Sequence, residues 1–201
     1  MQVHNVEQGT PEWFAARLGI PTASEFSKII TATGKPSAQA NDYSLTLVAE
    51  RMLGHEVEKW QGNMWTERGK ELEQEAADYY ELTTGAELQK VGFVTNDAGT
   101  AGCSPDRLVG DDGLLEIKCP AAHTHLKYML DKKLDTAYMP QLQGQLFVTG
   151  RQWVDIISYY PELKPVIIRV ARNEDYISTL QELLEEFTAD IEATQSRLIN
   201  G

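Results

Sequence analysis

A chain of 201 residues, 42% hydrophobic and 24% charged, has the balance of a globular protein and room for one domain, 1–201, with a real core. Its net charge of −12 excludes a protein that coats nucleic acid with a basic surface, but not an enzyme whose basic residues follow one path with metal ions beside them. No apolar run suffices for a membrane span, and the two cysteines, Cys103 and Cys119, fit neither a zinc motif nor a disulfide framework, so a reducing cytoplasm is expected.

In chain order, Pro11–Leu18 reads as a short helix with Thr10 as its cap and Pro11 near its first position. Trp13 and Phe14 anchor it, and Arg17 stands at its end. Thr22 or Ser24 can begin a second helix running through Ile30, and 31–40 is a Gly/Pro/Ser loop carrying Lys35. A helix over 41–54 is expected with Asn41 or Asp42 as its cap and Gly54 as its stop. Trp60, Met64 and Trp65 follow; buried they are core, and exposed they can wedge between bases at a duplex end. A long helix over about 64–84 puts Glu73, Ala76, Ala77 and Tyr80 on one face. A carboxylate on a small, apolar face is costly to bury unpaired, so Glu73 is either at a solvated edge or in use. Strands are expected over 88–95 and 100–109.

The chemistry concentrates in 102–120. Asp106 follows Ser104-Pro105, Asp111-Asp112-Gly113 is a turn signal in which Gly113 can take a positive φ, and 114–118 reads as a strand stopped at Pro120. On that strand Glu116 and Lys118 share one face, while Leu115 and Ile117 share the other. A hairpin folded at 110–113 returns Asp106 to the side of Glu116. Two carboxylates and an ammonium are the minimum for metal-assisted phosphodiester cleavage. Mg²⁺ takes oxygen ligands at about 2.0–2.1 Å and keeps several waters, so one or two carboxylates and a phosphate suffice. Asp106 can bridge two ions, and Glu116 can hold one with the main-chain carbonyl of Ile117. Lys118 can orient or deprotonate a water, or stabilise the pentavalent phosphate. Glu-x-Lys alone carries little information, since Glu162-Leu163-Lys164 repeats the spacing between two prolines.

Beyond Pro120, His123 and His125 point apart on a helix, which argues against a shared metal. Lys127, Lys132 and Lys133 form a basic patch that is either a solvated helix end or a contact for DNA backbone. Pro140 lies in the first turn of the helix within 136–150, placing Gln141 near its N-terminus; Gln143 and Gln145 read as ordinary helix residues. Strands over 152–160 and 165–171 and a closing helix over about 173–198, capped by Asn173, complete the chain. The closing helix carries Glu182, Glu185, Glu186, Asp190 and Glu192, a face unsuited to DNA.

Ser104-Pro105-Asp106 followed by Leu115-Glu116-Ile117-Lys118-Cys119-Pro120 resembles the active-site core of the lambda exonuclease (YqaJ-type viral recombinase) family. The family's other elements occur in the same order, from Arg17 with Ala23-Ser24, through Gly69-x-x-x-Glu73, to Tyr138-x-x-Gln141. The resemblance implies an α/β protein of restriction-endonuclease-like fold, with a mixed central sheet flanked by helices. It implies Arg17, Ser24 and Ser104 as a pocket for a 5′-terminal phosphate, which a guanidinium, hydroxyls and a helix N-terminus suit chemically. Glu73 then supports a metal-bound water, Gln141 lies near the nucleophilic water, and Tyr138 lies near the DNA.

The activity implied is a Mg²⁺-dependent exonuclease (two ions, with Mn²⁺ as a possible substitute) on double-stranded DNA ends. It degrades the 5′-ended strand, releases mononucleotides and leaves a 3′ overhang. The resemblance further implies a homotrimeric ring that threads DNA, a single-strand annealing protein as partner, and a phage or prophage origin in a bacterial cytoplasm, with no membrane. Two alternatives stay open: an endonuclease of the same fold, and a DNA-end-binding or scaffold protein without chemistry. An iron–sulfur nuclease of this fold needs four cysteines, and only two are present.

Overall fold

The structure, a computed structural model, describes residues 1–57, 64–133 and 135–201, with the backbone alone over 64–71. The expected aromatic group of Trp60, Met64 and Trp65 therefore lies outside the described side chains. In chain order the elements are β1 (Gln2–His4), α1 (Pro11–Arg17), a 3₁₀ helix (Ala23–Lys28), α2 (Ala40–Leu53), α3 (Met64–Thr84), β2 (Leu88–Gln89), β3 (Phe93–Thr95), β4 (Gly102–Cys103), β5 (Arg107–Val109) and β6 (Gly113–Lys118). There follow α4 (Ala122–Asp131), a 3₁₀ turn (Thr136–Tyr138), α5 (Met139–Thr149), β7 (Trp153–Ser158), β8 (Val166–Ala171) and α6 (Glu174–Asn200). None of the described helices is long and apolar enough to cross a membrane.

A five-stranded sheet in the order β2-β5-β6-β7-β8 forms the centre, and it is mixed: β6 and β7 run parallel, the other neighbours antiparallel. A parallel pair needs a crossover, and here the crossover carries α4 and α5. Both faces of the sheet are covered. Leu114, Val154 and Ile156 pack with Leu142 and Leu146 of α5 and with residues of α2 and α6. Leu115, Ile117 and Ile157 pack on the other face against Ala76, Ala77 and Tyr80 of α3. This double burial explains why β6 is apolar on both sides apart from Glu116 and Lys118. A smaller antiparallel sheet, β1-β3-β4, lies beside it.

Local chemistry explains most boundaries. Thr10 accepts the N–H of Trp13 with Pro11 in the first turn of α1, and Asn173 accepts the N–H of Tyr176 at the start of α6. Gly54 and Gly150 end α2 and α5 in the left-handed region.

Several expectations need correction. The cap of α2 is Gln39, without a side-chain bond, so Asn41 and Asp42 lie inside the first turn. The segment after Thr22 is a 3₁₀ helix and stops at Lys28. The strand expected over 88–95 divides between the two sheets. Gly92 lies in the break, where an added Cβ would fall 1.6 Å from the Val6 carbonyl oxygen, so two backbones meet there. The strand expected over 100–109 divides at Ser104-Pro105-Asp106, since proline offers no N–H to a ladder. The positive φ of the hairpin belongs to Gly110, at 48°; Gly113 is a strand residue whose missing side chain makes room for the Trp153 ring. Strand β1 had no signal in the sequence, being three residues without alternation of burial.

Candidate active site

The β5–β6 hairpin pairs Arg107 with Leu115, and the next step along the ladder sets Asp106 across from Glu116. Asp106 turns its carboxylate inward, and Oδ2 accepts the Ile117 N–H at 2.6 Å. Glu116 is 4% exposed and is held at both oxygens. Oε1 accepts Lys118 Nζ at 2.8 Å and Gln141 Nε2 at 2.7 Å, while Oε2 accepts Gln145 Nε2 at 2.7 Å. Lys118 Nζ also reaches Gln141 Oε1 at 3.4 Å and lies 5.0 Å from the centre of the Tyr138 ring. Asp106, Glu116, Lys118, Gln141 and Tyr138 are thus brought together at one end of the sheet.

The electrostatics follow from crowding. Burial, and then the neighbouring Glu116 carboxylate, push the Asp106 carboxyl well above its ordinary value, against the pull of the Ile117 N–H. For Lys118, burial lowers the ammonium's pKa, but Glu116 and Asp106 outweigh it and the net direction is up. A lysine held in its charged form suits orienting a water or stabilising a phosphate better than removing a proton.

Asp106 and Glu116 are adjacent carboxylates that share one cation, Lys118, and their oxygens make a donor set that fits a hard divalent ion. Among the described residues no group of three or more His, Cys, Asp or Glu side chains converges on one point, as a cage of protein ligands would require. Mg²⁺ needs no such cage, because it retains waters. The Glu73 carboxylate adds to the upward push on Asp106; its Oε1 accepts Arg107 Nη1 at 2.6 Å, and it lines the same large cavity as Lys118. His125 is fully buried with Nδ1 at 2.7 Å from Ser158 Oγ and Nε2 at 3.2 Å from the Lys164 carbonyl, while His123 is exposed.

A second group of residues meets beside the acids. The Arg17 guanidinium lies 3.9 Å from the centre of the Trp13 ring and donates to Thr22 Oγ1 at 3.3 Å, which in turn lies 3.3 Å from Ser24 Oγ. Trp13 Nε1 donates to Ser104 Oγ at 2.9 Å and to the Gly92 carbonyl at 3.1 Å. Arg17, Ser24 and Ser104 line a cavity of about 180 Å³ whose wall also includes Gln141 and Gln145 of α5. Burial presses the Arg17 guanidinium below its ordinary pKa, a penalty that an anion beside it would relieve. A larger cavity of about 860 Å³ shares Arg17 and Ser24 and extends to Glu73 and Lys118.

The structure adds residues that the sequence reading passed over. Gln145 is a partner of Glu116, not an ordinary helix residue; its signal is the i, i+4 spacing from Gln141 on α5. Gln143, between them, points elsewhere and holds the Ala171 carbonyl and the Asn173 N–H. Arg107, buried next to Asp106, ties Glu73, Gln74 and the Asp106 carbonyl together. Lys35, Lys127, Lys132 and Lys133 are exposed.

Comparison with known proteins gives these residues a family. Residues 12–152 match the model of the YqaJ-like viral recombinase domain. The structure resembles that of an alkaline exonuclease (LHK-Exo) from Laribacter hongkongensis with a TM-score of 0.84 and 35% identity, covering 94% of this chain and 96% of that one. LHK-Exo in complex with dAMP gives a TM-score of 0.83 and 36% identity over the same shares of the two chains. A phage-related exonuclease from Haemophilus somnus 129PT, at 17% identity and a TM-score of 0.69 over 89% of this chain and 96% of that one, supports the fold alone. A search of curated proteins gave no match. The fold is the restriction-endonuclease-like one expected, a mixed sheet flanked by helices. With 141 consecutive residues matched, from 12 to 152, this chain belongs to the YqaJ-like viral recombinase family.

Proposed function

We propose that this protein is a Mg²⁺-dependent exonuclease that enters double-stranded DNA at an end, degrades the 5′-ended strand and leaves a 3′ overhang for recombination by strand annealing. The observation that carries the reading is the Asp106–Glu116–Lys118 group on the β5–β6 hairpin, in a chain 35% identical to an alkaline exonuclease over nearly its whole length. The complex of that relative with dAMP, a mononucleotide, is consistent with the product proposed here.

Asp106, Glu116 and the Ile117 carbonyl would hold the metal, which when bound supplies an acidified water and neutralises charge on the leaving oxygen. The remaining work falls to side chains. Lys118, kept protonated by Glu116, donates toward the phosphoryl oxygens where negative charge accumulates. Gln141 bonds to both Glu116 and Lys118, and so sets the direction from which a water can approach. Glu73 accepts a proton or orients the water, with Arg107 fixing its carboxylate. Arg17, Ser24 and Ser104 receive the 5′-terminal phosphate, and Tyr138 packs near the DNA. We infer a homotrimeric ring and a single-strand annealing protein as partner; light scattering of the purified chain tests the first.

The test uses linear duplex labelled on either strand, with 5′-phosphate or 5′-hydroxyl ends, and Mg²⁺, Mn²⁺ or EDTA. Mononucleotides released from the 5′-phosphorylated strand, only with metal, are expected. Equal rates on 5′-hydroxyl ends would remove the phosphate pocket. Cutting of a closed circular plasmid would make the enzyme an endonuclease, and no cleavage of any substrate would leave a DNA-end-binding protein.

A further inference from the structure

Gln145 lies in the middle of α5, one helical turn beyond Gln141, and is 1% exposed. Its amide nitrogen donates to Glu116 Oε2 at 2.7 Å. Its amide oxygen, Oε1, is buried without a hydrogen-bond partner among the described residues. The two ends of this amide are therefore unequal. The carbonyl is left unsatisfied so that the NH₂ can reach the carboxylate, and the opposite orientation would set oxygen against oxygen. Among the described residues, Glu116 is the hydrogen-bond partner that orients this amide.

The division of contacts on Glu116 gives this bond a specific consequence. Lys118 and Gln141 both meet Oε1; Lys118 lines the larger cavity, and Gln141 lines the smaller one together with Gln145. Oε2 is held by Gln145. Without that contact the carboxylate is anchored at one oxygen and can turn about its terminal torsion, which is broad for a glutamate. Mg²⁺ demands near-octahedral geometry and tolerates a turning ligand poorly.

We propose that Gln145 is a positioning residue for metal binding: it locks the plane of the Glu116 carboxylate and thereby sets the affinity of the site for divalent ions. The inference rests on the metal-site reading above. Gln145 is not a catalytic residue, because its effect passes through Glu116.

The test is a Mn²⁺ titration of the whole protein without DNA, followed by electron paramagnetic resonance of the free ion, with a thermal melt of each sample. Gln145→Met keeps the volume and removes the donor, and should weaken Mn²⁺ binding by roughly ten- to a hundred-fold. Rising Mg²⁺ should then restore nuclease rate at saturation. Gln143→Met, which loses bonds to the Ala171 carbonyl and the Asn173 N–H, should lower the melting temperature and leave Mn²⁺ affinity unchanged. A Gln145→Met protein with wild-type Mn²⁺ affinity, whatever its melting temperature, overturns the proposal. Should that variant not fold, Gln145→Asn withdraws the amide by one methylene and is read the same way. If wild type and Asp106→Asn bind Mn²⁺ equally or not at all, the metal-site reading fails, and this inference fails with it.

Discussion

Replacing Glu73 by alanine separates its structural part from its chemical one. Glu73 is 23% exposed at its side chain, whereas its partner Arg107 is 5% exposed, so the mutation strands the more deeply buried charge. Breaking a fully buried pair costs about 3–5 kcal/mol, and one charged hydrogen bond about 1.5–3 kcal/mol. Arg107 keeps the Asp106 carbonyl at 2.6 Å and Gln74 Oε1 at 3.2 Å, and water can reach the Glu73 edge. Those remaining partners bring the expected cost to about 2 kcal/mol. For a chain of this size that lowers the melting temperature by roughly 4–8 °C. Arg107→Met should cost less, about 1 kcal/mol, because the freed carboxylate is the partner that solvent reaches. The double variant should show a coupling of about 1–2 kcal/mol. Urea denaturation of the four proteins, followed by far-UV circular dichroism and tryptophan fluorescence together, gives the cycle. Single effects that add to within about 0.5 kcal/mol would mean that the pair contributes nothing and that the burial argument is wrong.

Other outcomes follow from the same geometry. Glu73→Gln keeps an acceptor for Arg107 and should retain the fold while mononucleotide release falls by roughly a hundred-fold or more; full activity would remove Glu73 from the chemistry. Asp106→Asn should abolish release in Mg²⁺ with an unchanged circular dichroism spectrum, and activity near wild type would refute the site. Gly113→Ala puts a Cβ 2.2 Å from the Trp153 ring and should cost about 1–3 kcal/mol by thermal melt, whereas an unchanged melt would mean that the ring moves freely. Burial raises the phenols of Tyr43, Tyr80 and Tyr176, and pushes Tyr128 up to about 12. Because these folded values lie above the unfolded one near 10, their contribution to stability is intact below pH ~10 and is lost as pH rises through the folded values. Absorbance at 295 nm should show these tyrosines ionising together with unfolding; complete titration near pH 10 with the fold intact would contradict it.

The pairing of Asp106 with Glu116 was legible because it needs only local rules. A turn, a two-residue period and a proline stop fix which side chains share a face, and the register of β5 on β6 agrees. Arg17 and Tyr138 entered through the resemblance, since a lone arginine or tyrosine on a helix has no local signature, whereas Glu73 stood out on a small, apolar helical face and took only its role from the resemblance. Gln145 was missed for a different reason: its spacing from Gln141 was visible, but its partner lies on a strand that only the crossover brings beneath α5. Arg107 looked like one more strand residue, because its partner Glu73 is 34 residues earlier in the chain. The division of 88–95 was hidden for the same reason. At the break, Gly92 meets the carbonyl of Val6, far away in the sequence.

The parallel pairing of β6 with β7 also bears on how the protein is made. The β5–β6 hairpin can close once residue 118 has left the ribosome, but the second edge of β6 waits for Trp153–Ser158, and Glu116 waits for Gln141 and Gln145. Closing so long a loop is slow compared with forming a hairpin. A nascent chain therefore carries both acids for some time without the helix that aims one of them. A destructive activity, held in this way, would be withheld until three-quarters of the polypeptide has been synthesised and folded back on itself.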